Sequence, residues 1–134
     1  FVGGTLASEA ALIAGDRAEV TDFGDDEYTV GRAHPMIDPT LRLEHLARAA
    51  ADPEIAVLLL DVVLGHGAEA DPAALLAPAL ANVPQPVVVT VVGTTNDPQG
   101  LDRQVRALAD AGAEVHLSNA AATRRAVELL GEPA

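Results

Sequence analysis

Cysteine is absent from the 134 residues, and so is lysine. The first absence excludes disulfides, thiolate nucleophiles and Cys-ligated zinc or iron–sulfur centres. The second leaves Arg as the only strong base, with eight Arg against twenty Asp and Glu for a formal charge of −12. A chain so short of positive charge has no basic face to displace counterions from phosphates, so no nucleic-acid partner is expected. An anionic membrane surface would repel it for the same reason. Aromatics are nearly missing at 2 % (Phe1, Phe23 and Tyr28), which leaves flat cofactors little to stack on. No apolar run approaches the roughly 20 residues of a membrane span, and no signal peptide is visible. The four His are too scattered for a ligand spacing, so no metal is expected. A soluble, cytoplasmic domain is the expectation.

What is present is ordinary globular composition, 49 % hydrophobic and 21 % charged, enough for one core over residues 1–134. The chain opens on Phe1-Val2-Gly3-Gly4 without a polar lead-in, which reads as the end of a strand in a piece of a longer polypeptide. Ile55-Ala56-Val57-Leu58-Leu59-Leu60, stopping at Asp61, and Val87-Val88-Val89-Thr90-Val91-Val92 are apolar without alternation. Strands of that kind are buried on both faces, as in a parallel sheet covered by helices. Glu114-Val115-His116-Leu117 is a weaker strand, Val2 the end of another, and Ala18–Phe23 a short edge strand.

Helix starts are written in Asp-Pro pairs at Asp38-Pro39, Asp71-Pro72 and Asp97-Pro98, each a carboxylate cap followed by a preset first turn. Asp52-Pro53 has the same form but runs into a strand. After Pro39, the apolar face of Leu41, Leu43, Leu46 and Ala47 is expected opposite Arg42, Glu44 and Arg48. Further helices are expected over Thr5–Ala14, from Pro98 to Gly112, and over about Ala120–Leu130. Strands alternating with helices give a doubly wound, mainly parallel α/β fold, a three-layer sandwich of flavodoxin-like type. Its ligands bind beyond the carboxyl ends of the strands, where strand order reverses.

Three strand-following segments and one irregular loop are the candidate sites. Gly3-Gly4-Thr5 leads from a strand into a helix, where glycines admit a ligand and free N–H groups attract an anion; the plain alternative is a turn capped by Thr5. Asp61, at a strand end, would orient a substrate or accept a proton, or else cap a neighbouring loop. Gly65 and His66 form the rim beside it, with His66 also readable as a surface His without a role. Gly93 and Thr94 open a small-polar loop that either rims a pocket or caps a helix. Within the irregular stretch Gly15–Ile37, Arg32 suits a phosphate or carboxylate and His34 a proton transfer. The alternative pairs Arg32 with Asp25-Asp26-Glu27 and packs His34 beside Pro35.

Two other classes with this fold do not suit these residues. A phosphoacceptor receiver needs an acidic pair where Gly3-Gly4 stands, and a Lys. A flavodoxin needs a Ser/Thr-rich phosphate loop and aromatics around the flavin. The order Gly3-Gly4-Thr5-Leu6-Ala7-Ser8-Glu9-Ala10, then Gly24–Pro39, then Leu58–Gly65, then Gly93-Thr94 with Asp97-Pro98-Gln99, resembles the FdrA family along essentially the whole chain. FdrA proteins look like fused relatives of succinyl-CoA synthetase, and this piece is similar to a CoA-ligase domain. The resemblance implies a phosphate-binding helix start at Gly3-Gly4-Thr5. It also implies acyl-CoA synthetase-like chemistry, or carbamoyl transfer to oxamate in allantoin breakdown. Succinyl-CoA synthetases carry a phosphorylated His in a Gly-His-Ala-Gly segment; here Gly93-Thr94-Thr95-Asn96-Asp97-Pro98 holds none. No cofactor is expected in this domain itself, with CoA and a nucleotide belonging to the full protein. The partners implied are a small carboxylate or phosphate-bearing substrate and other domains or subunits of the FdrA-like enzyme. The alternative is a non-catalytic assembly or regulatory module that keeps the fold without the phosphohistidine.

Overall fold

The apolar runs pair side by side in a computed structural model that describes residues 1, 4–21, 40–65 and 68–130. Strands β1 (Leu58–Val63), β2 (Val87–Val92) and β3 (Glu114–His116) form a parallel sheet in the order β1-β2-β3. Around it lie helices α1 (Gly4–Ala14), α2 (Thr40–Ala51), α3 (Pro72–Leu80), α4 (Leu101–Asp110) and α5 (Asn119–Leu129). This is the α/β sandwich expected from the sequence.

Period-two alternation divides the apolar side chains between two helical layers. Leu58, Leu60 and Val62 of β1 and Val87, Val89 and Val91 of β2 pack with Leu46, Leu76, Leu80 and Leu108 from α2, α3 and α4. On the other face Leu59 and Val88 meet Ala122 and Ala126 of α5, while Leu59 also joins Ala7 and Ala10 of α1. Helices α3 and α4 each join neighbouring parallel strands and share a face, as right-handed crossovers running the same way across a sheet must. Helix α1 lies on the opposite face.

The boundaries differ from the sequence reading where tertiary bonds compete with local signals. The first apolar run enters the ladder at Leu58 rather than Ile55 and continues to Val63. Its partner sets this register: the Leu58 amide donates to Pro86 C=O (3.0 Å), and the β2 ladder starts at Val87, just past a proline without an N–H. Ile55 is held back in a turn by its amide bond to Asp52 C=O (3.2 Å). The expected edge strand over Ala18–Phe23 is not formed by its described part; Ala18–Thr21 lies outside any ladder, and Thr21 C=O accepts from the Phe1 amino terminus (2.7 Å). The strand end expected at Val2, and the helix start at Asp38-Pro39, lie outside the described residues.

Among the three Asp-Pro starts, Asp71-Pro72 behaves as written. Asp71 accepts from the Ala74 amide (3.2 Å) and Pro72 is the first helical residue. Asp97-Pro98 does not start α4. The Asp97 carboxylate is taken by the Thr94 amide (2.6 Å), a turn follows from Asp97 C=O to the Gly100 amide (3.0 Å), and the helix begins at Leu101. Gly100 (φ +75°) makes that turn possible, and Gly112 (φ +100°) ends the same helix. Asp52 likewise caps a turn, accepting from the Glu54 amide (2.9 Å).

The carboxyl end of α2 is closed from outside. The Gln85 carboxamide nitrogen lies 3.2–3.4 Å from the carbonyls of Ala49, Ala50, Asp52 and Ile55, tying the segment before β2 to the segment before β1. Its Oε1 is buried without a partner. Gln85→Ala should lower stability by about 1–2 kcal/mol, read from urea unfolding, because orphaned helix-end carbonyls lose their donor.

Candidate functional site

The carboxyl end of the sheet is formed by the segments that follow β1 and β2. They are packed directly on one another. A Cβ added at Gly93 would stand 2.8 Å from Leu64 Cβ, so glycine there is required by the close approach of the two strand ends. Gln99, 2 % exposed, then joins the loops. Its Oε1 accepts from the Gly65 amide (3.1 Å), and its Nε2 donates to the carbonyls of Gly65 (2.8 Å) and Glu69 (3.0 Å).

A second layer of bonds completes the joint at the start of α3. Gln104, fully buried on α4, accepts from the Ala73 amide (2.9 Å) and donates to Asp71 Oδ1 (2.9 Å). Arg103 donates to Asp71 Oδ2 (2.9 Å) and to Gln99 C=O (2.8 Å). The hydrogen bond from Gln104, and next that from Arg103, hold the Asp71 carboxyl below its ordinary value. The first free amides of α3 are therefore taken by side chains. Helix α5 is closed in the same manner, its cap Ser118 accepting from the Ala121 amide (3.2 Å).

Helix α1 starts at Gly4, carries no acidic residue in its first turn, as α3 and α5 carry none in theirs, and exposes Thr5. Its next turn is anchored by Asn119, whose Nδ2 donates to Leu6 C=O (2.9 Å) and Glu9 Oε1 (3.0 Å). Thr90 of β2 donates to Asn119 Oδ1 (3.3 Å), so one buried carboxamide binds α1, α5 and the central strand together.

Asp61, expected at a strand end as a reacting carboxylate, is placed otherwise. It lies inside β1 and is fully buried, roughly 13 Å back along the strand from Gly65. Arg42 of α2, 8 % exposed, donates to Asp61 C=O (2.6 Å) and its guanidinium stands 3.4 Å from the Asp61 carboxylate. Burial pulls the Arg42 guanidinium below its ordinary value, and the Asp61 charge pushes back. Arg42 was expected opposite the apolar face; instead it shares the buried side of α2 with Leu46, one turn on. The carboxylate thus faces an internal cation.

Of the other candidates, Gly65, Gly93 and Thr94 are brought together by the Gly93–Leu64 contact and the Gln99 bonds, with Thr94 exposed. Gly3, Arg32, His34 and His66 lie outside the described residues. Gln99, Gln104, Arg42 and Asn119 were not singled out as site residues. Gln104 had a legible signal, since it falls between Leu101 and Leu108 on the apolar stripe of its helix. A cavity of about 550 Å³ lies at the other end of β1, lined by Ile55, Val57, Leu58 and Leu46 among others. Ligands of doubly wound sheets bind at the opposite end.

With this geometry in place, comparison with known proteins gives the family. A family model described as CoA-ligase matches residues 1–129. The chain belongs to the CoA-ligase family. It is also 42 % identical over 100 residues, 68 % of its length, to a protein of Escherichia coli (strain K12) named as the uncharacterized protein YahF. The chain spans 19 % of that protein's length. No helix among the described residues is long and apolar enough to cross a membrane.

Two outcomes check this arrangement. Arg42→Met removes the cation that faces a buried carboxylate and should cost about 3–5 kcal/mol in chemical unfolding, much of it recovered in Arg42→Met/Asp61→Leu. A carboxyl held below its ordinary value stabilises the fold above the usual carboxylate range, and that contribution is lost as pH falls through the lowered value. The acid unfolding profile of Asp71→Asn should therefore be shallower than that of the parent.

Proposed function

We propose that this CoA-ligase domain is part of an FdrA-like, acyl-CoA synthetase-related protein and supplies an anion site for acyl- or carbamoyl-phosphate chemistry. The observation that carries the reading is the opening of α1: a helix beginning in glycine, with no acidic residue in its first turn and an exposed Thr5. Unsatisfied N–H groups and the helix dipole favour a phosphate or carboxylate at such a start. The match of residues 1–129 to the CoA-ligase family and the likeness to YahF support it.

In this reading the amides of Gly4 and Thr5 hold the oxyanions, Arg32 adds a guanidinium, and His34 moves a proton. Asp61 contributes from within, by pairing with Arg42 and keeping α2 seated on β1. The reaction is either ligation of an acid to a thiol, with CoA and a nucleotide as co-substrates of the whole protein, or carbamoyl transfer from carbamoyl phosphate to oxamate. Both pass through a mixed anhydride of phosphate, and both take place in the cytoplasm together with the protein's other domains.

The test is turnover by the intact protein with carbamoyl phosphate and oxamate, and with a carboxylic acid, CoA and a nucleotide; failure of both pairs overturns the reading. Thr5→Glu isolates the anion site. It should weaken binding of inorganic phosphate at least tenfold by calorimetry while leaving the melting temperature level or higher, since a carboxylate in the first turn stabilises a helix. Unchanged phosphate affinity would place the anion elsewhere.

A further inference from the structure

The loop after β1 and the loop after β2 are usually independent pieces of a doubly wound sheet, free to move separately around a ligand. Here one side chain serves both. Gln99 satisfies the amide and the carbonyl of Gly65 together, as a neighbouring strand would, and adds a bond to Glu69 C=O. Its own carbonyl is gripped by Arg103 and, at 3.4 Å, by Gln104, which continue to Asp71 and Ala73 at the far end of the same loop. On the β2 side, Asp97 closes its loop onto the Thr94 amide and the Gly100 amide returns to Asp97 C=O. Gln99 therefore ties Gly65 and Glu69 to its own loop, in which the adjoining Gly100 closes the Asp97 turn that holds Thr94.

We propose that the Gln99 carboxamide is a latch that makes Gly65 and Glu69–Ala73, on the β1 side, open and close as one unit with Thr94–Gly100, on the β2 side, so that a ligand reaching this end of β1 and β2 meets both ordered or neither. Only a carboxamide fits the position. Gly65 presents one donor and one acceptor, and Glu69 a second acceptor, so the side chain must accept once and donate twice. A carboxylate keeps the first bond and faces two carbonyls with no hydrogen to give. A methionine of similar length makes none of the three. The inference rests on the bonds between the loops and is independent of whether the first turn of α1 binds an anion.

Hydrogen exchange on the intact protein tests it, with protection followed at the amides of Gly65 and Ala73 on one side and Thr94 and Gly100 on the other. In the parent the two sets should open together. Gln99→Met should lower protection in both sets by about tenfold or more, the cost of buried bonds left unmade. Gln99→Glu adds a readout that simple loss of packing would not move. Protection in both loops should be higher while the new carboxyl is protonated, with one hydrogen to give, and should fall further as pH rises through its titration, with the parent measured at each pH as reference. Loosening of Gly65 alone in Gln99→Met, or a pH-independent Gln99→Glu, would overturn the proposal.

Discussion

The central strand is buried on both sides, and the rest of the architecture answers to that constraint. Val87, Val89 and Val91 enter one helical layer and Val88 and Thr90 the other, all nearly without solvent contact. A strand so placed must be apolar at nearly every position, and any polar atom it carries must be satisfied locally. Thr90 is the one exception in β2, and its hydroxyl is met by Asn119. The same carboxamide reaches Leu6 and Glu9, so it ties α5 and α1 to the central strand.

Side chains cap two of the helix starts at the carboxyl end of the sheet. Those of α3 and α5 are closed by side-chain caps, and α3 receives a second bond from Gln104. Helix α1 begins in glycine with its first turn free of carboxylates. Side-chain carboxamides hold backbone outside the strands at several places: half-buried Gln85 behind α2, buried Gln99 and Gln104 between loops, and buried Asn119 between helices. Each carries donor and acceptor together without a charge to desolvate, which suits a chain whose net charge is already −12.

By itself the sequence determined the layer plan. Apolar runs at Ile55–Leu60 and Val87–Val92, set among amphipathic stretches, demand a parallel sheet covered on both faces. Asp71-Pro72 and Gly112 act through the few residues around them and were legible for that reason. The tertiary structure alone decided the register and the partners. Pro86 and the Asp52 turn moved β1 three residues along and drew Asp61 into the core, where Arg42 had to follow. Asp97 was claimed by Thr94 and lost its helix. Gln99 sits 34 residues from Gly65, and nothing in the intervening chain announces their meeting. Periodicity and capping report what a segment does with its own neighbours; which buried donor finds which distant acceptor is settled only when the layers close.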